Sequence, residues 1–345
     1  MSQAINKLTI KGYKSIRCLE NFELRNINIL IGPNGAGKSN FLEFFRLLEE
    51  ISKGEESLWR YARYIGGIDK ILFMGSKITP SAEVVIWTSG ARISFEISPT
   101  QDSRLETPVT ETSGLEPAHK DTKLDSLLRE TYRNHRFYHF HDTSDFAALK
   151  RPSSKRDYEY LRPDASNLVA FLLQLKKKHQ QDYAYIRDVI QLAAPFFDDF
   201  WLREEDDKDD ILLEWRQKGS DYPFHPSQIS DGTLRFICLA TVLLQPNPPS
   251  TILLDEPELG LHPYALALLA GLIQKASTQT QVIVSTQSAP LIDHFEPEDI
   301  VIVERQNGES IFKRLNKPDL KVWLNDYSLG ELWQKNVFGG RPARE

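Results

Sequence analysis

The sequence predicts an α/β fold in which strands and helices alternate around a glycine-rich loop. Residues 27–51 combine a short apolar run, a glycine-rich turn and a stretch with apolar residues at helical spacing. Thr251–Leu254 is a second apolar run, and two carboxylates follow it directly. From residue 225 onward, apolar runs alternate with helical periods, as expected for strands that lie between layers of helices.

An N-terminal lobe rich in strands is predicted for residues 1–97, because many of its apolar residues alternate with polar ones. Ile27–Ile31 differs, since it is almost wholly apolar, and this indicates a central strand that is covered on both faces. The predicted elements are strands at Lys7–Ile10, Phe22–Leu24 and Ile27–Ile31, a helix at Ser39–Ile51, and a hairpin of Glu83–Trp87 with Arg92–Ile97.

A mostly helical insertion is predicted for residues 98–224. Residues 98–123 are polar, contain prolines and have few aromatic residues, so they predict a flexible loop or a segment that a partner orders. The acidic run at 204–210 is interpreted as a solvated turn. The other predicted elements are a short helix at 124–134, a strand at Arg136–His141, one or two helices within Asn167–Ala194, and a strand at Ile211–Trp215.

A C-terminal lobe with regular α/β alternation is predicted for residues 225–345. No heptad run is long enough for a coiled-coil arm. The predicted helices are Ser230–Leu244, His262–Ala276 and Ser328–Lys335, and the predicted strands are Thr251–Leu254, Gln281–Ser285, Asp299–Glu304 and Ser310–Arg314.

Composition excludes several classes of protein. The 345 residues include 42 Lys and Arg against 48 Asp and Glu, a net charge of −6, which argues against a generally basic nucleic-acid coat but leaves room for a local basic groove. No apolar run is long enough to span a membrane, and the N-terminus lacks a signal-peptide layout, so a cytoplasmic protein is expected. Cys18 and Cys238 both lie in apolar-patterned segments and are expected to be buried, reduced thiols.

The glycine-rich loop fits the pattern G-x-x-x-x-G-K-[ST] in full. Its glycines let backbone N–H groups turn toward phosphate oxygens, and the following helix adds the positive end of its dipole. Lys38 is expected to reach the β- and γ-phosphates of ATP and to act in catalysis, and the Ser39 hydroxyl to ligate Mg²⁺. The residues predicted to bind the nucleotide here are Gly32, Pro33, Asn34, Gly35, Ala36, Gly37, Lys38, Ser39 and Asn40.

The carboxylate pair Asp255 and Glu256 stands at the end of an apolar strand, where α/β sheets place their ligands. Asp255 is expected to hold Mg²⁺ directly or through water, and Glu256 to act as general base toward the attacking water. A solvated acidic turn is the alternative for the pair taken alone. Because Lys38 and Asp255 are far apart in sequence, a large insertion between two halves of one nucleotide-binding fold is expected.

A third segment, Ser230-Asp231-Gly232-Thr233, opens a predicted helix shortly before the carboxylate pair. Serine and aspartate suit a helix N-cap, and glycine lets another molecule approach the backbone. A plain capped helix is the alternative. Four segments together resemble the RecF-like, SMC-type branch of ABC ATPases: GPNGAGKSN at 32–40, QISDGTLRF at 228–236, ILLDEPELGLHP at 252–263 and VIVSTQSAPLID at 282–293.

The resemblance is closest to stand-alone bacterial ATPases that are related to the ATPase half of OLD-family proteins. It implies a homodimer in which two subunits face each other head to tail around two ATP molecules. Each ATP would contact the phosphate loop (residues 32–39) of one subunit and the signature segment (residues 230–233) of the other, so that Ser230, Asp231 and Gly232 act in trans. ATP would close the dimer, and hydrolysis would open it.

Some positions depart from the family pattern. Gln287 stands where transporter-type members often carry a histidine, so the resemblance assigns it the switch role, and hydrolysis is expected to be slow because glutamine cannot titrate near neutral pH. The D-loop position falls on His262, and no Q-loop glutamine is assigned. The segments YHFHDTS at 138–144 and GELWQKNVFGGRP at 330–342 also resemble these ATPases, but no chemistry is attached to either.

Three further groups of residues have competing interpretations. The histidines could form a metal cluster with nearby aspartates, since alternate residues of a strand share a face, but ordinary strand residues are the alternative. The basic groups could grip nucleic acid or be solvated surface. The residues concerned are His135, His139, His141, Asp142 and Asp145 for the metal cluster, and Lys176–Lys178 with Arg151, Lys155, Arg156 and Arg162 for the basic groups.

Three functional hypotheses follow. The first is a switch or clamp ATPase that delivers its output to a separate, nuclease-like effector encoded elsewhere, in a setting such as bacterial anti-phage defence. It is motivated by the short stretch after Glu256, which shows no acidic cluster of the nuclease kind found in OLD-type proteins. The second is a RecF-like ATPase that binds DNA directly in repair or recombination. The third is a nucleotide-gated scaffold with weak hydrolysis.

Overall fold

The computed structural model describes residues 4–100, 105–113, 128, 135–203 and 209–340. Within these ranges, each helix is too short or too polar to cross a lipid bilayer. The described strands are β1 Ile5–Tyr13, β2 Ile16–Glu23, β3 Ile27–Ile31, β4 Ala82–Thr88, β5 Arg92–Pro99, β6 Leu105–Glu106, β7 Val109–Ser113, β8 His135–Tyr138, β9 Ser153–Ser154, β10 Phe197–Phe200, β11 Asp210–Ile211, β12 Trp215–Gln217, β13 Pro223–Phe224, β14 Thr251–Asp255, β15 Gln281–Thr286, β16 Ile300–Gln306 and β17 Glu309–Arg314. The described helices are α1 Lys38–Ser52, α2 Glu55–Tyr64, α3 Leu168–Lys178, α4 Gln180–Ala193, α5 Asp231–Leu244, α6 Pro263–Ala276, α7 Ala289–Ile292, α8 Lys317–Leu320 and α9 Leu329–Gln334.

The chain forms two compact units. Unit 1 consists of residues 1–137, 249–253 and 280–345, and unit 2 of residues 138–248 and 254–279. The phosphate loop therefore belongs to unit 1, and the carboxylate pair and the signature segment belong to unit 2. The division into two lobes and an insertion, which was drawn from motifs, stays a prediction.

The phosphate loop of unit 1 follows a strand at the middle of a six-stranded sheet with the order β17-β16-β3-β15-β14-β8. β3 pairs in parallel with β15 on one side and with β16 on the other. Ile29, Leu30 and Ile31 are fully buried, which confirms the prediction of a central strand covered on both faces. Because parallel strands end at one edge of a sheet, the segments after β3 and β15 begin side by side.

A second sheet of unit 1 has the order β2-β1-β4-β5-β6, and β7 also pairs with β5. The predicted hairpin of β4 and β5 is confirmed as an antiparallel pair. The flexible loop predicted for residues 98–123 is wrong in part, since residues 105–106 and 109–113 form strands on β5. An open strand edge offers backbone hydrogen bonds that need no apolar side chains, which a composition argument does not detect. Residues 101–104 and 114–127 lie outside the described part of the chain.

The expected burial of Cys18 is wrong, although Cys238 on α5 is buried as predicted. The pairing of β1 with β2 shifts register between Leu8 and Ile10, so Leu8 faces Phe22 while Ile10 faces Leu19. This bulge turns Leu19 and Phe22, which are three positions apart, toward the same buried side of β2. Cys18, next to Leu19, is therefore on the exposed side. Strict alternation could not reveal the bulge, because it depends on the partner strand.

Helix α1 connects the phosphate loop to the core of unit 1. Its residues Phe41, Phe44 and Phe45 are fully buried, and the rings of Phe41 and Phe45 meet edge to face at a centroid distance of 5.5 Å. Tyr13 of β1 meets Phe44 at the same distance of 5.5 Å. Truncation of one such phenylalanine to alanine costs about 3–5 kcal/mol. The helix therefore cannot shift without losing core packing, and its first residue, Lys38, is held in place with it.

Unit 2 is built around α5, which packs against α4 and α6. Almost every residue of α5 after its first turn is buried, as expected for a helix that is covered by other helices. Two small sheets complete the described part of unit 2, one of β10, β12 and β13 and one of β9 and β11. The first holds an aromatic cluster, in which Trp215 stacks on Phe224 at 4.9 Å between ring centroids.

Two predicted strands differ in the structure. The strand predicted at Arg136–His141 ends at Tyr138, because the backbone N–H of His139 donates to the carbonyl of Pro163 (3.0 Å) instead of continuing the sheet. The strand predicted at Ile211–Trp215 consists of two separate strand ends with different partners, β11 and β12. Of the helix predicted at 124–134, only Leu128 lies within the described residues, and most of the acidic run at 204–210 lies outside them.

A buried histidine should make the stability of unit 1 depend on pH. Burial lowers the pKa of His135 to about 3, and its Nε2 lies 2.9 Å from the carbonyl oxygen of Phe45. The pKa of the unfolded chain is about 6.5, so the native state is most stable above that pH and loses up to about 1.4 kcal/mol per pH unit as pH falls toward the folded-state pKa. We expect His135→Gln, which cannot titrate, to lose less unfolding free energy than the native chain between about pH 7.5 and about pH 5.5.

The measurement is urea unfolding of the full chain at both pH values. His294→Gln, which replaces an exposed histidine, is the matched control and should follow the native chain. Parallel losses for His135→Gln and the native chain would contradict the assignment.

Candidate nucleotide-binding site

The phosphate loop is packed so closely against neighbouring strands that two of its glycines leave no room for a side chain. A Cβ atom on Gly32 would overlap the carbonyl oxygen of Val303 on β16. A Cβ atom on Gly37 would overlap the hydroxyl of Ser310 on β17. Gly37 also has φ of 110°, a conformation that other residues rarely adopt. The glycines of the motif are therefore required by packing within unit 1, in addition to any requirement of a ligand.

A chain of hydrogen bonds between polar side chains ends at the backbone of the phosphate loop and supports it. The Asn40 Nδ2 donates to the Ser15 hydroxyl (2.7 Å), and the Ser15 and Ser310 hydroxyl oxygens are 2.7 Å apart. Ser310 in turn donates to the carbonyl of Ala36 (2.6 Å). Asn40, which was predicted to bind nucleotide, thus has a supporting role in this structure, and its contact with nucleotide stays a prediction.

Lys38 and the start of α1 place positive charge at the loop. Lys38 as a whole is only 5% exposed, and its ammonium donates to the carbonyls of Gly32 (2.7 Å) and Pro33 (3.1 Å). Helix α1 has no side-chain N-cap hydrogen bond and no acidic residue in its first turn. Ser39 lies in this turn and is exposed. A cation beside the positive end of a helix is the arrangement that binds phosphate groups.

A cleft of about 810 Å³ lies beside the loop in unit 1. Arg305 lines it and also donates to the Gly35 carbonyl (3.3 Å), so the cleft and the loop share a cation. The volume falls within the roughly 300–1,000 Å³ of typical small-molecule sites. Its other charged lining residues are Lys14, Asp69, Lys70 and Lys77. The excess of positive charge suits a phosphorylated ligand.

The predicted switch residue, Gln287, lies at the same edge of the sheet as the phosphate loop. The register of β15 with β3 pairs Thr286 with Ile31, so Gln287 follows one strand at the level where Gly32 follows the other. Helix α7 begins two residues later, and the Ser288 hydroxyl caps it by accepting from the backbone N–H of Leu291 (3.2 Å). The parallel pairing therefore brings the switch position and the loop to one edge of the sheet, and the role of Gln287 toward a nucleotide stays a prediction.

The closing segment GELWQKNVFGG supports the same region. Asp293, just after α7, accepts a hydrogen bond from the backbone N–H of Gly330 at the start of α9 (2.6 Å). Glu304 of β16 accepts from the backbone N–H of Gly340 (2.6 Å), and Trp333 donates to the Gly340 carbonyl (3.2 Å). This segment thus holds α7, which follows the switch position, and β16, whose Val303 packs against Gly32, and this gives a structural reason for a motif that had none.

The carboxylate pair lies at the end of β14 in unit 2. The Asp255 carbonyl oxygen is 2.9 Å from Nε2 of His141. Glu256 has φ of 44°, in the left-handed region, where a non-glycine residue costs on the order of 1–3 kcal/mol. The turn is closed by the backbone N–H of Leu259, which donates to the Glu256 carbonyl (3.3 Å). Such strain persists only where the surroundings impose it, and it is found preferentially at functional sites.

The signature segment begins α5 as a capped helix, which was the alternative interpretation of these residues. The Ser230 hydroxyl accepts a hydrogen bond from the backbone N–H of Thr233 (3.3 Å) and so caps the helix. Asp231 in the first turn is exposed and lies 3.9 Å from the ammonium of the buried Lys150. These contacts are internal to one chain, and the action of the segment on a second chain stays a prediction.

The first turn of α5 at Gly232 and the turn at Gly260 touch backbone to backbone. A Cβ atom on Gly232 would overlap the carbonyl oxygen of Gly260, so glycine is required here by the same chain and not only by an approaching molecule. His262, at the D-loop position, has a local role, since its Nδ1 accepts from the backbone N–H of Tyr264 (3.2 Å) and caps α6.

The metal hypothesis finds no support in the part of the chain that the structure describes, where no three His, Cys, Asp or Glu residues are arranged to hold an ion. The rings of His139 and His141 do lie close together, at 3.9 Å between centroids and tilted by 47°, although the strand has already ended. Asp142 accepts a hydrogen bond from the Ser144 hydroxyl (2.7 Å).

Several members of the basic groups have acidic neighbours, which reduces the charge that a nucleic acid would meet. The pairs are Arg156 with Asp209 (3.1 Å), Arg162 with Asp157 (2.6 Å) and Lys176 with Asp199 (3.1 Å).

Sequence reasoning missed the residues that hold the motifs in place. Ser15 and Ser310 reach the phosphate loop, His141 reaches the backbone carbonyl of Asp255, and Arg235 donates to the carbonyl of His141, all from distant parts of the chain. The resemblance of residues 138–144 to related ATPases was the one available signal, and it carried no chemistry.

Comparison with known protein families identifies the family of this chain. A family model described as "AAA domain, putative AbiEii toxin, Type IV TA system" matches residues 27–293, from β3 to just after α7. The chain belongs to this family. It is thus an AbiEii-like AAA domain of the ABC ATPase type, as the resemblance implied. A search of curated proteins finds no match.

Solved structures similar to this AbiEii-like AAA domain are heads of SMC proteins. An SmcHead bound to the C-winged helix domain of ScpA is 18% identical, with a TM-score of 0.63, and covers 91% of this chain and 99% of its own. An Smc head with an extended coiled coil, bound to the C-terminal domain of ScpA derived from Pyrococcus furiosus, is 18% identical, with a TM-score of 0.60 and coverage of 93% and 98%. A head from Pyrococcus yayanosii is 14% identical, with a TM-score of 0.59 and coverage of 93% and 99%. The fold is therefore that of the SMC head.

The phosphate loop geometry predicts the effect of removing the Lys38 charge. In Lys38→Met the cation beside the α1 N-terminus is lost, and we expect ATP affinity to fall at least about tenfold. The measurement is titration of the full-length AbiEii-like AAA domain with a fluorescent ATP analogue and Mg²⁺. Lys53→Met, at the other end of α1, where the lysine pairs with Glu49 and Glu50, is the matched control. Equal affinity in Lys38→Met and the control would show that the loop does not bind phosphate.

Proposed function

We propose that this protein is a switch ATPase that binds and hydrolyses ATP and dimerises around two ATP molecules. The dimer would pass the resulting conformational change to a separate effector. The observation that carries the proposal is the phosphate loop, where the buried Lys38 ammonium and the uncapped start of α1 meet. Membership of an ATPase family and the SMC-head fold support it.

The residues present suit ATP with Mg²⁺. Ser39 supplies an exposed hydroxyl and Asp255 a carboxylate, and Mg²⁺ prefers oxygen ligands of this kind. When bound, Mg²⁺ would neutralise charge on the phosphates. Lys38 would exchange the carbonyls of Gly32 and Pro33 for phosphate oxygens. Glu256 would accept the proton of the attacking water, and Gln287 would orient that water by hydrogen bonding.

The surroundings of the signature segment favour a protein partner. Three large apolar side chains there are exposed: Phe146 by 79%, Leu259 by 39% and Tyr264 by 54%. Clusters of exposed apolar side chains mark interaction surfaces. A second copy of this chain is the partner that the head-to-tail ATP dimer requires, and it would cover these side chains when its ATP meets Ser230–Gly232.

Phe146 is linked to the signature segment through one buried cation. The Lys150 ammonium is 3.9 Å from a carboxylate oxygen of Asp145 and 3.9 Å from one of Asp231. Phe146 directly follows Asp145, so its exposed ring lies on the segment that this lysine ties to the first turn of α5.

A separate effector is the second part of the proposal. The similar SMC heads are described in complex with domains of another protein, ScpA, and the family description refers to a toxin–antitoxin system. Both point to an ATPase that works together with a second protein. A role in bacterial anti-phage defence would fit such a pair.

The dimer is tested by slowing hydrolysis. We expect Glu256→Gln to retain ATP and to elute as a dimer or a larger assembly with ATP and Mg²⁺, and as a smaller species without ATP. Lys38→Ala or Ser230→Arg added to Glu256→Gln should abolish this shift. The measurement is light scattering coupled to size exclusion, followed by identification of host proteins that co-elute only in the ATP-bound state. An unchanged size in ATP would refute the dimer, and the lack of any ATP-dependent protein would count against the effector.

The exposed ring near the signature segment predicts a further effect. Phe146→Asp places a charge where the second copy is proposed to pack, and we expect the dissociation constant of the ATP-bound Glu256→Gln dimer to rise at least about tenfold. ATP binding by the monomer should be unchanged. Tyr222→Ser, which removes a 67% exposed aromatic ring from the loop before β13, is the control. Equal dimer affinities of the two variants, measured by sedimentation, would place the interface elsewhere.

A further inference from the structure

One arginine connects three backbone segments of unit 2. Arg235, in the second turn of α5, donates to the carbonyl of Phe140 (3.1 Å), to that of His141 (2.9 Å) and to that of Leu259 (3.1 Å). Its guanidinium thereby joins the signature helix to residues 138–143 and to the turn after the carboxylate pair. Lysine could not replace it, because a single ammonium group lacks the rigid fork of donors that reaches separate carbonyls.

His141 extends the same connection to the carboxylate pair. Its Nε2 lies 2.9 Å from the backbone carbonyl oxygen of Asp255. Since a carbonyl oxygen can only accept, Nε2 carries the proton and donates it. The segment that Arg235 grips is therefore also bonded to the last residue of β14, one position before the strained Glu256.

Two further contacts close the arrangement. The Gly232 backbone touches the Gly260 carbonyl, so the signature segment cannot move toward that turn. The buried Lys150 donates to the Thr143 carbonyl (2.6 Å) and lies near Asp231. The start of α5 and the end of β14 are thus connected through the side chains of Arg235 and His141, and a displacement of one strains the bonds to the other.

We propose that Arg235 and His141 are positioning residues that couple the two ATP sites of the dimer. The inference rests on the proposed function. In the head-to-tail dimer, Asp255 and Glu256 of one subunit serve its own ATP, whereas Ser230–Gly232 of that subunit serve the ATP of the other. Arg235 and His141 connect these two sets of residues within one chain, so the state of one site biases the geometry of the other.

The experiment uses mixed dimers of full-length chains that carry different affinity tags. One subunit carries Lys38→Ala, so only the site with the intact phosphate loop can turn over. Arg235→Met is then placed either in the subunit with the intact loop or in the subunit with Lys38→Ala. The steady-state kcat and KM for ATP are measured for both placements.

Coupling predicts that both placements lower kcat by about tenfold or more, with KM changed less than about threefold. If Arg235 supported only its own carboxylate pair, the first placement alone would lower kcat. If it supported only the signature helix, the second alone would do so. Either single-placement result, or no effect in both, overturns the inference.

The reference variant separates this inference from the proposed function. Ser230→Arg in the subunit with Lys38→Ala must abolish turnover, since that subunit supplies the signature segment to the intact site. If it does not, the signature segment does not act in trans, and the proposed dimer fails together with the coupling. If it does, and Arg235→Met has no effect, the dimer stands and the coupling is overturned.

Matched variants distinguish positioning from general destabilisation. Arg187→Met, which removes an arginine that bonds only to its neighbour Asp188 among the contacts described on α4, should leave kcat unchanged in both placements. His141→Gln retains an amide donor near the position of Nε2 and should keep most of the turnover. His141→Phe should behave like Arg235→Met. Equal turnover of His141→Gln and His141→Phe would show that the bond to Asp255 has no positioning role.

Discussion

A buried cation and the positive end of a helix meet at the phosphate loop, and every functional statement about this protein depends on their being held there. Lys38 is held by carbonyls of the loop itself. The helix is held by aromatic packing beneath it, as between Phe41 and Phe45. The Lys38 ammonium and the backbone N–H groups at the start of α1 both attract negative charge. A phosphate group bound to the loop would interact with both at once, which is the physical reason to expect nucleotide there.

The residues that hold the phosphate loop in place come from several separate segments of unit 1. Ser310 of β17 reaches the loop from one side, and Ser15 from the turn between β1 and β2. The closing segment holds α7 and β16 through Asp293 and Glu304. In unit 2, Arg235 has a similar supporting role, because it donates to three backbone carbonyls as well as to the Thr143 hydroxyl (3.4 Å). Backbone contacts of this kind transmit displacement, since a backbone atom cannot move without its neighbours.

Regular elements were readable from the sequence wherever one periodicity dominated. The central strand β3 and helices α1, α5 and α6 were predicted almost to the residue, because each buries a continuous apolar face. Errors arose where a single distant contact overrode the pattern. A bond to Pro163 ends β8 early, a bulge in the pairing with β1 exposes Cys18, and β5 recruits the polar residues 109–113 as a strand.

The sequence by itself determined the chemistry of this protein: a lysine and a hydroxyl after a glycine loop, two carboxylates after an apolar run, and a helix start between them in the chain. These follow from local order, because each motif needs only its own neighbours to be recognised. The tertiary structure decided how the motifs are held. The contacts of Ser310 with Ala36, of His141 with Asp255 and of Arg235 with Phe140 join residues far apart in the chain. No local pattern encodes them, because their geometry exists only after the sheets and helices have packed.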